Sequence, residues 1–264
     1  MPIRFSLSTR GWLLLLLALA GSAALAVRLA AADTAWTRLQ RGGALRVAID
    51  PSFPPFDDLD AAGQVAGFDV DLARELGRRL AAPVQFQAIA FDGLVDAVIA
   101  GKADVVISAF PHDPRLSEDV RFSRAYFEAG LVLVTPADAP ATALANQPVA
   151  VEWGSSGDAW ARGQGLTVLR RESATDALAA VQTGEAAAAV VDAVTFALTA
   201  APGLIAQSPP LSSEPYVMVL PKTAPRLAAA IDEALAAILA EGVWADLVAA
   251  YFAQPPPPPM ADSR

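Results

Sequence analysis

The chain has no cysteine in 264 residues and a single histidine, His112. The first absence excludes disulfides, a thiol nucleophile and a cysteine-linked lipid tether. The two together leave no ligand spacing of the kind that holds a metal, and little for acid–base catalysis around an imidazole. Basic residues are the minority, 19 Lys+Arg against 28 Asp+Glu, for a formal charge of −9. Such a balance argues against nucleic acid and against adhesion to anionic lipid. Acids are themselves missing from residues 1–32, which hold only Arg4, Arg10 and Arg28 as charges. This stretch carries the one long apolar run, Gly11–Val27, with small-x-small sites at Ala24-Leu25-Ala26 and Ala30-Ala31-Ala32. It reads as a secretory signal peptide. An uncleaved N-terminal anchor is the alternative, because the run sits at the short limit for spanning. Losing its three arginines takes the formal charge from −9 to −12. No second apolar run reaches membrane length, so the remainder is expected to be soluble and exported.

What is present is a regular alternation of strand and helix, the pattern of helix-covered, largely parallel sheets. After a polar lead (Asp33–Gly43), Leu45–Ile49 reads as a strand that stops at Asp50 and a loop built on Pro51, Pro54 and Pro55. Leu72, Leu76 and Leu80 then recur every fourth residue, which predicts a helix over Asp69–Ala82 with one buried face. Asp69 and Asp71 stand at its start, where carboxylates suit the positive end of the dipole. Val84–Ala88 and Asp104–Ala109 read as strands around a helix over Asp92–Ala100, Leu131–Thr135 reads as a further strand, and Pro136–Pro148 as a connection. The pattern restarts with Pro148–Glu152 and a helix opened by Ser155, with Asp158 three residues on as in a capping box. Leu166–Leu169, a helix capped by Ser173 and Asp176, and Ala187–Val191 ending at Asp192 follow. Tyr216–Leu220 leads into helices at Arg226–Ala240 and Trp244–Ala253. The closing prolines exclude helix, so residues 254–264 are expected to form a disordered tail.

The stretches LRVAIDPSFPPF, GFDVDLARELGRRL, FDGLVDAVIAGKADVVISAF, VRFSRAYF, VAVEWGSSGDAW and ALAAVQTGEAAAAVVD, with the C-terminal YVMVLPKTAPRLAAAIDEALAAILAEGVWADLVAAYF, stand in one order and spacing. In that order the chain resembles the bacterial extracellular solute-binding proteins of family 3, over about residues 43–252. The resemblance implies an α/β, two-lobed periplasmic-binding-protein-like fold of type II, with two hinge-crossing strands and a ligand cleft between the lobes. Residues 44–131 plus 216–252 would form one lobe and 132–215 the other. It implies a receptor that captures a small polar solute, an amino acid or related amine, and delivers it to an ABC-type permease. It would act as a monomer, without cofactor, metal or nucleic acid. An enzyme of dehydratase or lyase type on the same scaffold is the second class, and a ligand sensor acting through a separate partner the third.

Several residues are candidates for the ligand. Asp50 follows a strand end, where open α/β sheets bind ligands, although an aspartate before a proline loop can also bond its own backbone. Phe53 and Phe91 stand where the family places aromatics, whereas Phe56 is expected in the core. Asp192 ends an apolar run and either caps the next helix or accepts a ligand ammonium. Ser155 and Ser156 open a helix whose free N–H groups attract anions. Ser108 keeps a hydroxyl the family uses, while Ala109 and Pro111 replace others. Counting back from Val120-Arg121-Phe122-Ser123 puts Leu116 at the family's carboxylate-binding arginine, with Arg115 one residue early. Either the loop shifts so that Arg115 reaches the cleft, or that clamp is absent. His112 is expected to be exposed, and Trp153 to wall the cleft or cover the lobe's core.

Overall fold

The computed structural model describes residues 33–138 and 147–257. The expected signal peptide or anchor, most of the connection after Pro136 and the last tail residues lie outside the described residues. Strands β1 (Leu45–Ile49), β2 (Asp58–Leu59), β3 (Val65–Ala66), β4 (Val84–Ala88), β5 (Val105–Val106) and β6 (Val120–Glu128) come first. Then follow β7 (Leu131–Pro136), β8 (Val149–Glu152), β9 (Val168–Arg171), β10 (Ala188–Asp192), β11 (Leu204–Ala206) and β12 (Pro215–Pro221). They form two five-stranded sheets, β4-β1-β5-β12-β6 and β11-β7-β10-β8-β9, with β2 and β3 paired as a small ribbon. Strands joined through helices are parallel: β1 with β4 and β5, and β8 with β9 and β10. The others pair antiparallel, so each sheet is mixed and only its helix-connected half is parallel, as crossovers require.

Helices α1 (Thr34–Gln40), α2 (Phe68–Arg79), α3 (Leu94–Ile99), α4 (Ser156–Gly163), α5 (Ala174–Gln182), α6 (Ala193–Leu198), α7 (Pro225–Ala240) and α8 (Val243–Tyr251) cover the sheets. The polar lead is thus mostly α1, and its start has work to do. Ala224, at the N-terminus of α7, has no capping side chain. The Asp33 carboxylate accepts the Arg226 N–H instead, at 3.0 Å. Phe68, Leu72 and Leu76 are the fully buried face of α2. Gly67 before it has φ +128°, and a Cβ there would stand 2.2 Å from the Phe56 carbonyl oxygen. Only glycine fits that turn. Beneath it, the Phe56 ring meets Phe68, Phe127, Tyr216 and Phe252 edge-on at centroid distances of 5.8, 4.9, 5.5 and 5.3 Å. This knot, in the preferred aromatic geometry, fixes the proline loop and the C-terminal helix to one core. No single helix among the described residues is long and apolar enough to cross a membrane.

The chain passes between the sheets at two adjacent places. β6 ends at Glu128 in the first sheet and β7 begins at Leu131 in the second, with only Ala129 and Gly130 between them. The return runs through Ser212, Ser213 and Glu214 into β12. Glu128 is buried at 1% exposure. Its carboxylate accepts the Gly130 and Glu214 N–H groups at 3.1 and 2.6 Å and the Ser213 hydroxyl at 3.2 Å. One acid therefore staples both crossings. A third contact joins the lobes from the C-terminus. Gln254 donates its N–H to Ala197 O at 3.0 Å and its Nε2 to Thr199 O at 2.6 Å. Pro256 and Pro257 are buried, beside Phe196 and Leu204 of the second lobe. The tail expected to be disordered from residue 254 is thus docked through Pro257, because prolines expose apolar rings and lose little entropy on packing.

Candidate ligand-binding site

Two cavities lie at the carboxyl ends of the parallel strands, one in each lobe. The first, of 280 Å³, is lined by Asp50, Ser52, Phe53, Phe91, Ser108, Ala109, Pro111, Glu214 and Tyr216. The second, of 170 Å³, is lined by Leu131, Glu152, Ser155, Ser156, Gly157, Ala174, Val190, Val191 and Asp192. Asp50 follows the last residue of β1, and its Oδ2 accepts the Phe91 N–H at 2.9 Å. That bond ties the aspartate to the loop that carries one of the aromatic walls. Phe53 and Phe91 are 45% and 46% exposed, and each stacks on a buried ring behind it. Phe53 lies on Phe56 at 5.6 Å and Phe91 on Phe110 at 5.3 Å. Two open phenyl faces with rigid backing flank one carboxylate, which suits an alkyl chain ending in a cation.

The floor of the first cavity is built on buried acids. The Ser108 hydroxyl accepts the Asp50 N–H at 3.0 Å and donates to Asp57 Oδ2 at 2.9 Å, so it supports the floor with its bonds already committed. Ala109 next to it has φ +39°, a strained value for a residue with a side chain. Its N–H donates to Asp69 Oδ2 at 2.5 Å, as does the Tyr126 hydroxyl at 3.0 Å. This distortion explains why β5 has only two residues where Asp104–Ala109 is the expected strand. Asp69 stands in the first turn of α2 as expected and also holds the cleft floor from below. Burial, and next the Asp69 charge, push the Asp57 carboxyl far above the ordinary 3.8, and burial also raises Asp69. The other oxygen of each has no hydrogen-bond partner. Carboxyls with raised values keep protons in the folded chain that the unfolded chain releases, so their contribution is complete at acid pH and fades as pH rises. The melting temperature is therefore expected to fall between pH 5 and pH 8, and Asp57→Asn to flatten that fall.

In the second lobe the side chains are placed by helix starts. The Ser155 hydroxyl accepts the Asp158 N–H at 3.1 Å, the expected cap of α4. The Asp158 carboxylate is buried beneath it and accepts the Gly154 N–H at 3.2 Å. Asp192 ends β10 and caps α6, its Oδ1 accepting the Thr195 N–H at 2.7 Å. Its other oxygen has no partner among the described residues and belongs to a group lining the cavity. The cap leaves this second oxygen open to the cavity.

Arg115 is not brought to either cavity. Its side chain is 88% exposed and pairs with Asp113 two residues earlier, at 2.8 Å. Leu116, in the arginine's expected place, packs half-buried against the cluster around Phe110 and Val120. The loop is held by a 3-10 turn over Pro114–Leu116 capped by Asp113, which turns the guanidinium outward. Arg115→Ala is expected to leave both ligand affinity and melting temperature unchanged by titration and thermal denaturation. His112 is half-buried rather than exposed: its ring meets Phe122 edge-on at 4.6 Å and its N–H donates to Pro215 O at 2.9 Å. Trp153 neither walls these cavities nor covers a core, being 76% exposed. Glu214 and Tyr216 line the first cavity although neither is an expected ligand residue. Burial, then the nearby charges of Asp192 and Glu128, raise the Glu214 carboxyl, so acids from both lobes converge at the two crossings.

The chain thus forms a two-lobed α/β fold with a cavity at the strand ends of each lobe. Residues 45–254 match the family model of the bacterial extracellular solute-binding proteins, family 3, and the chain belongs to that family. It is 33% identical over 90 residues to "ABC transporter arginine-binding protein 1" of Escherichia coli, covering 34% of this chain and 37% of that one. It is 27% identical over 226 residues to the "L-arginine-binding protein" of Pseudomonas aeruginosa, covering 79% and 87%. The first five curated relatives are matched over between 35% and 51% of their own length. Among solved structures, an "Ancestral Cationic Amino Acid Solute Binding Protein" superposes with a TM-score of 0.58 at 28% identity, over 83% of this chain and all of that one.

Proposed function

We propose that this chain is an extracytoplasmic receptor, exported by residues 1–32, that closes two lobes on a small amine-bearing solute. The closed complex would then be presented to an ABC-type permease. Residues 44–131 with 216–252 act as one lobe and 132–215 as the other. The observation that carries this reading is the pairing of half-sites: Asp50 between two open phenyl rings on one side, Asp192 with a free oxygen on the other. Each half holds a cation weakly alone, and a ligand touching both gains more in the closed form, which shifts the lobes toward closure. Asp50 with Phe53 and Phe91 takes the charged side-chain end, and Asp192 takes the other ammonium. Ser155 and Ser156 shape the second half-site, and Ser108 acts through Asp50. Relatives named as arginine-binding agree with a cationic end.

A thermal-shift screen of amino acids and amines tests this reading. A true ligand raises the melting temperature by mass action, and basic solutes are expected to give the largest shifts. A panel that gives no shift with any solute overturns the receptor reading. Turnover of a bound solute would transfer the chain to the enzyme class.

A further inference from the structure

The geometry points to a ligand that carries positive charge at both ends and no carboxylate, a diamine or guanidino-amine, with Glu214 as the residue that sets this preference. The inference rests on the receptor reading and concerns which solute the cleft takes. Neither cavity is lined by any lysine or arginine among the described residues, whereas Asp50, Glu214, Glu152 and Asp192 all line one or the other. An α-amino acid brings a carboxylate that must meet a cation or a set of donors, because a buried charge without a partner is costly.

No cationic side chain among the described residues supplies that partner, and the Ser156 and Gly157 N–H groups at the start of α4 remain as neutral donors. Arg115 faces solvent on Asp113, and Leu116 is apolar. Pro111 lines the first cavity without an N–H to donate. Beside the Ser156 and Gly157 donors the buried Asp158 carboxylate accepts the Gly154 N–H and pairs with Arg162 and Arg170, so a negative group already offsets the positive end of α4. Glu214 adds a second acid to the lining of the first cavity. Its N–H is pinned to Glu128, so the residue cannot withdraw without breaking the hinge staple. Like charges from Glu214 and Asp192 repel until a cation lies between them. A dication satisfies Asp50 at one end and this pair at the other, while its alkyl chain crosses the Phe53 and Phe91 faces.

Calorimetric titration with two matched pairs tests the inference: agmatine against arginine, and cadaverine against lysine. Within each pair the members differ only by the α-carboxylate. The decarboxylated member is expected to bind at least tenfold more tightly. Glu214→Gln is expected to reduce that preference at least tenfold while the ligand-free melting temperature does not fall, because the backbone bond to Glu128 is retained and a repelled acid is removed. An amino acid that binds as tightly as its amine, or a preference unchanged in Glu214→Gln, overturns the inference. If neither pair binds while glutamine or glutamate does, the charge assignment fails and the receptor reading stands. If no solute binds at all, both fail.

Discussion

Gly130→Ala is expected to lower the melting temperature by roughly 6–12 °C, the shift that about 3 kcal/mol produces in a protein of this size. A Cβ at residue 130 would stand 2.1 Å from the Ser212 carbonyl oxygen and 3.0 Å from Glu128 Oε1. The closer neighbour is backbone of the returning chain, which cannot rotate aside as a side chain can. The two crossings must then separate, and separation lengthens the bonds by which Glu128 holds Gly130 and Glu214. Thermal denaturation of the ligand-free protein reads the loss directly. A variant that melts within about 1 °C of the parent would mean that the crossings are not packed backbone to backbone. Affinity should fall with stability, since Glu214 enters the cleft from the same crossing.

Asp192→Asn is expected to weaken binding of a cationic ligand roughly 10- to 150-fold, while leaving the melting temperature of the free protein nearly unchanged. Asparagine caps a helix about as well as aspartate, so the bond to the Thr195 N–H persists and α6 keeps its start. What disappears is the negative charge on the unpaired oxygen. The NH2 that replaces that oxygen cannot accept from an ammonium, so the whole charge-assisted bond of about 1.5–3 kcal/mol is lost, and 1.4 kcal/mol is tenfold in affinity. Asp192→Ala would remove both roles and lose about 1 kcal/mol of stability as well. Titration of the two variants separates cap from ligand contact. Equal affinity of Asp192→Asn and parent would leave Asp192 with the cap alone.

Much of the fold can be read from the residues because local rules and tertiary packing agree there. Leu45–Ile49 and Val84–Ala88 are strands with the expected ends. Ser155 and Ser173 cap the helices that their spacing predicts. Membership of the family adds the two-lobed plan. What escapes sequence reasoning lies where tertiary contacts overrule a local pattern. β6 is nine residues long but shows no clean alternation in VRFSRAYFE, because its pairing with β12 shifts register twice. Ser108 and Ala109 continue an apolar run, yet Asp69 and Tyr126 pull the chain out of the strand.

The cleft divides in the same way. Asp50, Phe53, Phe91, Ser155, Ser156 and Asp192 line the two cavities as their positions suggest. Arg115 does not, because an aspartate two residues away satisfies it locally and a capped turn fixes its direction. Glu214 has no signal of its own in Leu211-Ser212-Ser213-Glu214-Pro215, which reads as a plain connection. Its place in the cavity follows from the crossing geometry and from Glu128, more than 80 residues earlier in the chain.

The most direct test of a receptor that closes on its ligand is small-angle X-ray scattering of the protein alone and with saturating agmatine or arginine, whichever titrates more tightly. Lobe closure predicts a smaller radius of gyration and a shorter maximum dimension on binding, with Gly130→Ala closing less completely. Saturated protein with unchanged scattering would contradict closure about the Glu128–Gly130 hinge.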